Sequence, residues 1–303
     1  MYGGPEVLRF EEAPLPKLQA DEVLIQIHAA GVNPVDWKIR AGMMKGMLNH
    51  SLPLIPGWDV SGIVVAVGRE VRRIQVGNEV YGLLDICRNG AYAEYAVARE
   101  SAVALKPKPL DHIQAAAIPM SSLAAWQSLF HAGELQSSHK VLIHGAAGGV
   151  GSFAVQLAKW KGAHVIGTAS KRNHRLLREL GTDETIDHTT MRFEDAVRDA
   201  DVVLDTVGGD TLSRSWGVLK KGGILVSIAE QPSPEEAVRN GVRQACVFVV
   251  PKAEELEAIG WLVDSGALKP VVRMIFPLSQ AYHAHKIIQS GHVRGKIVLR
   301  VDR

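Results

Sequence analysis

Residues 146–151 read Ala-Ala-Gly-Gly-Val-Gly, a dinucleotide fingerprint with Ala in place of the first Gly. The chemistry such a run serves is phosphate binding by backbone. Small side chains let the chain turn tightly and approach a pyrophosphate. A helix opening there adds free N–H groups and a positive dipole end. An ordinary Gly-rich strand–helix turn has the same composition, so context decides. The context fits: a strand pattern precedes (residues 140–144, KVLIH) and an amphipathic helix follows (residues 150–161, VGSFAVQLAKWK). Ala146, Gly148, Gly149, Val150 and Gly151 are therefore candidate cofactor contacts. About 20 residues past the fingerprint, an acidic residue would select the ribose 2′-hydroxyl of NAD. This chain has Thr168-Ala169-Ser170-Lys171-Arg172 there. The hydroxyl of Ser170 and the cations of Lys171 and Arg172 suit a 2′-phosphate, Arg172 in bidentate fashion, and point to NADPH. A solvated helix start is the plainer alternative.

The elements needed to hold that loop are legible around it. After residue 110 the texture changes from β-rich to an Ala-rich helical stretch (111–130, broken at Pro119). Strand and helix patterns then alternate: strands at 164–168, 201–205, 224–228 and 247–250, helices at 173–180, 211–219 and 254–265. This rhythm predicts a parallel sheet covered by helices. The first third reads differently. Residues 22–29 and 90–97 alternate apolar and polar, 61–67 is a denser apolar run, and 76–82 reads as a turn and short strand. Short strands broken by Gly and Pro predict an antiparallel, barrel-like module. The tail returns to that texture at 271–276 and 296–301, with a helix over 279–290 between. The expectation is one domain interrupted by another: 1–114 and 266–303 around a dinucleotide-binding domain at 115–265.

Composition removes several alternatives. The 303 residues carry 34 basic and 32 acidic side chains, a balance that disfavours a nucleic-acid binder. No apolar run reaches the roughly 18 residues of a membrane span, and residues 1–10 lack the pattern of a secretory signal. Two cysteines, Cys87 and Cys246, form no CxxC pair and suit a reducing, cytoplasmic location. Twelve histidines are scattered without an HxxxH pair. His283 and His285 are two apart, on different faces of a helix. No metal site is expected.

The fingerprint with its helix resembles the medium-chain dehydrogenase/reductase superfamily, and most closely its zinc-independent quinone oxidoreductase branch. Residues 31–42 (GVNPVDWKIRAG), 56–62 (PGWDVSG), 205–209 (DTVGG) and 291–299 (GHVRGKIVL) carry the likeness along nearly the whole chain. It implies a Rossmann-type doubly wound parallel sheet inserted in a GroES-like β-barrel domain. It also implies a possible homodimer and a small-molecule acceptor. In the zinc alcohol dehydrogenases the places of Asn33 and Trp58 hold a cysteine and a histidine ligand; neither residue here is a useful zinc ligand. Relatives usually have about ten residues forming a first strand before the segment resembling residues 2–6. This sequence begins at that segment: either its start is misassigned, or the chain lacks that strand and a less covered barrel edge is expected.

Without zinc the acceptor must already be electrophilic or be polarised by hydrogen bonds; a quinone or an α,β-unsaturated carbonyl qualifies, with hydride coming from NADPH. The resemblance places Asn33, Asp36 and Trp37 at the catalytic cleft: Asn33 as a donor to substrate or nicotinamide ribose, Asp36 as an orienting group, Trp37 as a pocket wall. Asn-Pro-x-Asp is equally a turn signal, and Trp37 and Trp58 are equally core residues. By resemblance alone, Ser121, Phe248 and Val249 would meet the nicotinamide end, Ile228 and Ala229 would touch the cofactor from the end of a Rossmann strand, His188 would meet the adenosine phosphate, and Lys296 the cofactor phosphates. Two functions stand open: an NADPH-dependent quinone or enone reductase, or a non-catalytic NADPH-binding redox sensor or structural protein.

Overall fold

Val23, Ile25 and Ile27 are fully buried while the residues between them are partly covered, the period of a half-buried strand. The strand they belong to, Glu22–Val32, is the centre of a seven-stranded sheet in the computed structural model, which describes residues 1–302. It pairs antiparallel with Asp59–Val67 along one edge. Along the other it pairs with Tyr95–Arg99 at its start and Lys296–Arg300 at its end. Two register shifts against Asp59–Val67 bend it between these partners. The sheet runs on through Glu79–Leu83 to Val103–Leu105 on one side and through the parallel strand Val272–Pro277 on the other. The C-terminal tail thus completes the N-terminal sheet, the GroES-like arrangement the sequence implies.

The second sheet is wholly parallel, in the order Arg243–Cys246, Leu219–Ser227, Ala200–Asp205, Lys140–Ile143, His164–Ala169, Glu184–Asp187. That is the Rossmann-type doubly wound order. Leu142, Ile166, Val203 and Leu225 lie side by side in register and form part of one buried cluster.

By compactness the chain divides into Met1–Met120 with Val250–Gly266 and the chain from Pro270, and Ser121–Val249 with Ala267–Lys269. Residues 115–120 and the helix Ala253–Asp264 group with the antiparallel unit, although the sequence reading assigned them to the inserted domain. Ala116 and Ala117 pack with Ala29 and Val298. The Tyr81 hydroxyl donates to Leu256 O at 2.5 Å, and Lys108 N–H to Asp264 Oδ1 at 2.9 Å.

Three local expectations are corrected. Residues 247–250 are not a strand: the last parallel strand is Arg243–Cys246, a polar edge strand, and the apolar run beyond it is partly exposed at Phe248 and Val250. Residues 90–94 are a loop preceding the strand Tyr95–Arg99. That loop is docked on residues 55–57 by the N–H groups of Gly90, Ala91 and Tyr92. The Asn-Pro-x-Asp segment opens the helix Pro34–Arg40, with Asn33 as N-cap and Pro34 at its first position. No helix among the described residues is long and apolar enough to cross a membrane.

Candidate active site

In the parallel sheet, strand order reverses at Lys140–Ile143, which is flanked by His164–Ala169 and Ala200–Asp205. Ligands of such sheets bind at the carboxyl ends of the strands beside this point. The fingerprint stands there. Gly148 is the N-cap of the helix Gly149–Trp160, and no side chain caps it, so the first-turn N–H groups are left for a ligand. At Gly151 a Cβ would lie 2.4 Å from Gly145 O and 2.7 Å from Ala146 Cα. Only glycine lets the helix close on the loop.

Buried side chains hold the loop from behind. Ser215 Oγ donates to Thr211 O at 2.7 Å, so it accepts from His144 Nε2–H at 3.0 Å. His144 Nδ1 then receives the Thr168 hydroxyl at 3.2 Å. Burial pushes His144 down to about 4, which keeps the ring neutral. Asp205, fully buried, accepts from the N–H groups of Val207 and Gly208, each at 3.0 Å, and from Ser227 Oγ–H at 2.7 Å. It fixes the turn into the helix Gly209–Arg214. The sequence reading used residues 205–209 only as a likeness and missed this role, although a carboxylate before Gly-Gly is a turn-pinning signal.

Ser170, Lys171 and Arg172 follow the strand His164–Ala169, and His188 follows the neighbouring strand Glu184–Asp187, with Ala169 opposite Asp187 in register. Lys171, Arg172 and His188 are exposed. Neither Lys171 nor Arg172 takes part in an ion pair among the described residues. Ile228 and Ala229 leave the strand Leu219–Ser227, where Ala229 N–H donates to Ser227 Oγ at 3.1 Å. Phe248 and Val249 come just after the neighbouring edge strand. Ser121 is buried in the first turn of the helix Pro119–Trp126. Apart from Ser121, these residues share the carboxyl edge of the parallel sheet. The uncapped helix and the glycine cradle fit the pyrophosphate of a nicotinamide dinucleotide.

The antiparallel unit carries a different kind of site. Asn33 Nδ2 donates to Asp59 Oδ2 at 2.8 Å, and Lys296 Nζ donates to the same oxygen at 3.0 Å and to Asn33 Oδ1. Asp59 Oδ1 accepts from Met120 N–H at 2.6 Å. All three side chains are buried. The ammonium of Lys296, linked by resemblance to the cofactor phosphates, is thus engaged by Asp59 and Asn33. Asp36, fully buried, accepts at Oδ2 from Asn33 N–H at 2.7 Å and from the Tyr92 hydroxyl at 2.8 Å. Burial raises Asp36 to about 7, helped by the charge of Asp59 and opposed by those two donors and by Lys296. Trp37 is half-buried on the same helix. Sequence reasoning missed Tyr92, Asp59 and His285, whose ring Nε2 lies 3.3 Å from the Tyr92 oxygen.

Two family models match the chain: an alcohol dehydrogenase GroES-like domain over residues 19–108, and a zinc-binding dehydrogenase over residues 180–299. A 2-methylene-furan-3-one reductase of Solanum lycopersicum is 38% identical over 98% of this chain and 76% of its own. An NADPH-dependent alkenal/one oxidoreductase of Arabidopsis thaliana, chloroplastic, is 36% identical over 98% of this chain and 77% of its own. The structure of a quinone oxidoreductase from Coxiella burnetii superposes with a TM-score of 0.91 at 37% identity, covering 99% of this chain and 97% of that one. Fold and relatives define the class, nicotinamide-dependent oxidoreductases. Within it, the chain belongs to the zinc-independent quinone oxidoreductase branch of the medium-chain dehydrogenase/reductase superfamily.

The name of the second model raises the question of zinc, and the residues do not fit it. The Asn33 amide is held by Asp59 and Lys296. Trp58 is fully buried and donates its Nε1–H to Arg88 O at 3.1 Å. Among the described residues no group of three or more His, Cys, Asp or Glu side chains could hold a metal ion.

Proposed function

We propose that this chain is an NADPH-dependent reductase of quinones or α,β-unsaturated carbonyls that works without zinc. The observation that carries the cofactor preference is the end of the second Rossmann strand. Ser170, Lys171 and Arg172 stand there, with no carboxylate to repel a 2′-phosphate. The tomato relative, a 2-methylene-furan-3-one reductase, and the Arabidopsis relative, an alkenal/one oxidoreductase, support the acceptor class.

When bound, NADPH supplies a hydride from C4 of its nicotinamide. The chain's own residues do the rest. The first-turn amides at Gly149, Val150 and Gly151 bind the pyrophosphate, and Arg172 with Lys171 and Ser170 binds the 2′-phosphate, beside His188. Ser121, Phe248 and Val249 position the nicotinamide end, and Ile228 and Ala229 contact the cofactor from the end of their strand. Asn33 has two amide hydrogens and gives one to Asp59; the second is left for the substrate or the nicotinamide ribose. Asp59 and Lys296 fix which way that amide faces. Trp37 lines the acceptor site.

The test is turnover of purified protein with NADPH and a panel of quinones and enones, with and without a strong chelator. Oxidation of NADPH by several acceptors, unchanged by chelation, supports the reading. Failure with every acceptor, or loss of turnover on removing a tightly held zinc, overturns it.

A further inference from the structure

Between the short 3-10 helix Pro5–Val7 and the strand Glu22–Val32, the chain joins neither sheet and forms no helix. Pro14 and Pro16 work against a helix there, because each lacks an N–H and fixes φ. Leu8 has the β-region angles φ −71° and ψ 125°. Among the described residues, no backbone N–H or C=O of residues 9–18 takes part in a hydrogen bond. Every residue from Arg9 to Leu15 is exposed, Phe10 at 73% and Leu15 at 61%. Arg9 and Glu11 take part in no ion pair among the described residues. A row of unpaired amide groups beside an exposed phenyl ring is a template for another strand.

We propose that residues 8–12 are a pairing strand for a second copy of this chain, laid antiparallel across a two-fold axis at Phe10. This contact goes beyond the reductase reading and does not depend on it. The run Leu8-Arg9-Phe10-Glu11-Glu12 is complementary to itself in one register. With Phe10 opposite Phe10, each Arg9 faces Glu11 of the second copy. Side chains alternate between the two faces of a strand. Both Arg9–Glu11 pairs therefore lie on one face of the ribbon, and the Phe10 rings meet on the other, beside Leu8 of each copy. Cross-strand pairs of opposite charge and of aromatic rings are the units that stabilise such a ladder. Other registers are disfavoured. A slip of one residue sets Phe10 opposite Arg9 or Glu11, and a slip of two sets Arg9 opposite Arg9 or Glu11 opposite Glu11. Pro14 has no N–H and limits the ladder on one side, and the helix Pro5–Val7 limits it on the other. The contact uses the same residues of both copies, so it closes at a dimer and does not propagate into a filament.

So short a contact lies well under the roughly 1,200 Å² of stable interfaces, so the dimer should be weak, with a dissociation constant on the order of 10–100 µM. Sedimentation of the purified chain from about 1 to 500 µM should therefore show monomer passing into dimer. Arg9→Glu and Glu11→Arg each set like charges opposite one another at two symmetry-related places. Each should weaken dimerisation about tenfold or more. The double variant Arg9→Glu with Glu11→Arg reverses both pairs and should return the constant to within about threefold of wild type. Both positions are exposed and unpaired within the chain, so the variants should melt like the wild type. Hydrogen exchange of the wild type supplies a second readout that needs no variant. Amides of residues 8–12 should exchange more slowly at the highest concentration than at the lowest. A protein that stays monomeric over the whole range overturns the proposal. So does a dimer whose constant is unchanged in both single variants, or one that the double variant fails to restore, since another surface or register would then hold it.

Discussion

At the carboxyl edge of the parallel sheet, the groups that would face a ligand are the backbone amides of residues 149–151 and the exposed cations of residues 171–172, each a short run in the sequence. In the antiparallel unit they are side chains drawn from the helix Pro34–Arg40 and its N-cap Asn33, the strand Asp59–Val67, the loop at Tyr92, the helix Ala281–Gln289 and the strand Lys296–Arg300. Lys296 meets Asp59 across 237 positions, and His285 meets Tyr92 across 193. The first region would bind a phosphate, a task that backbone geometry and charge can perform. The second is a network of polar and titratable groups, mostly buried, that hold one another in place. One site is local and generic; the other is assembled by the fold.

The sharpest way to break the local site is Gly151→Val. The new side chain would meet Gly145 O and Ala146 Cα well inside contact distance. We expect no measurable NADPH binding by calorimetry and a destabilised parallel unit. Retained micromolar affinity in a folded variant would place the phosphate elsewhere.

Next comes Lys296→Met, which leaves Asp59 buried and uncompensated. Losing one partner of a buried ion pair costs about 3–5 kcal/mol, so thermal unfolding should shift down clearly. The double variant Asp59→Asn with Lys296→Met should recover part of the loss. If Lys296→Met melts like the wild type while NADPH affinity falls, Lys296 serves the cofactor phosphates after all.

Smaller in effect is Lys171→Ala with Arg172→Ala. NADPH binding should weaken roughly 10- to 100-fold while NADH binding changes little, because only NADPH carries the 2′-phosphate. Salt screening at these exposed positions pulls the value toward the low end. An unchanged ratio of the two dissociation constants would mark the pair as a solvated helix start.

The same contrast explains what was legible beforehand. Gly148, Gly151 and the Ser170–Arg172 run announce themselves because their function depends on neighbours in sequence. The Rossmann order and the closing role of the tail follow from patterning and from family likeness. Asp36 was singled out, but its partners were not. Tyr92 sits in an alternating stretch that reads as a strand and is a docked loop. His285 was considered only as a metal ligand. Asp59 lies beside a buried tryptophan with nothing local to show that it meets Asn33 and Lys296. Long-range polar contacts leave no periodic trace in one sequence.

A subtler effect separates Asp36 from the neutral histidines. Its folded value near 7 lies above the usual 3.8, so the native state keeps a proton that the unfolded chain has lost. Its contribution to stability therefore falls as pH rises from about 4 to 7, by up to roughly 4 kcal/mol. His144 and His285 have depressed values, and their contributions run the other way: present above about 6.5 and lost as pH falls toward 4. Those histidines are common to wild type and Asp36→Asn and cancel in the difference. The variant should gain on the wild type between pH 4 and 7 in denaturant titrations and hold the gain above. A constant difference across that range would show that Asp36 is not a protonated acid in the fold.

The central claim is hydride transfer from NADPH to an electrophilic acceptor. It is tested most directly by NADPH deuterated at the transferred C4 position, with an enone as acceptor. The account predicts deuterium at the product's β-carbon and solvent-derived hydrogen at its α-carbon. NADPH oxidation that leaves the deuterium out of the product, or no reduced enone at all, would contradict it.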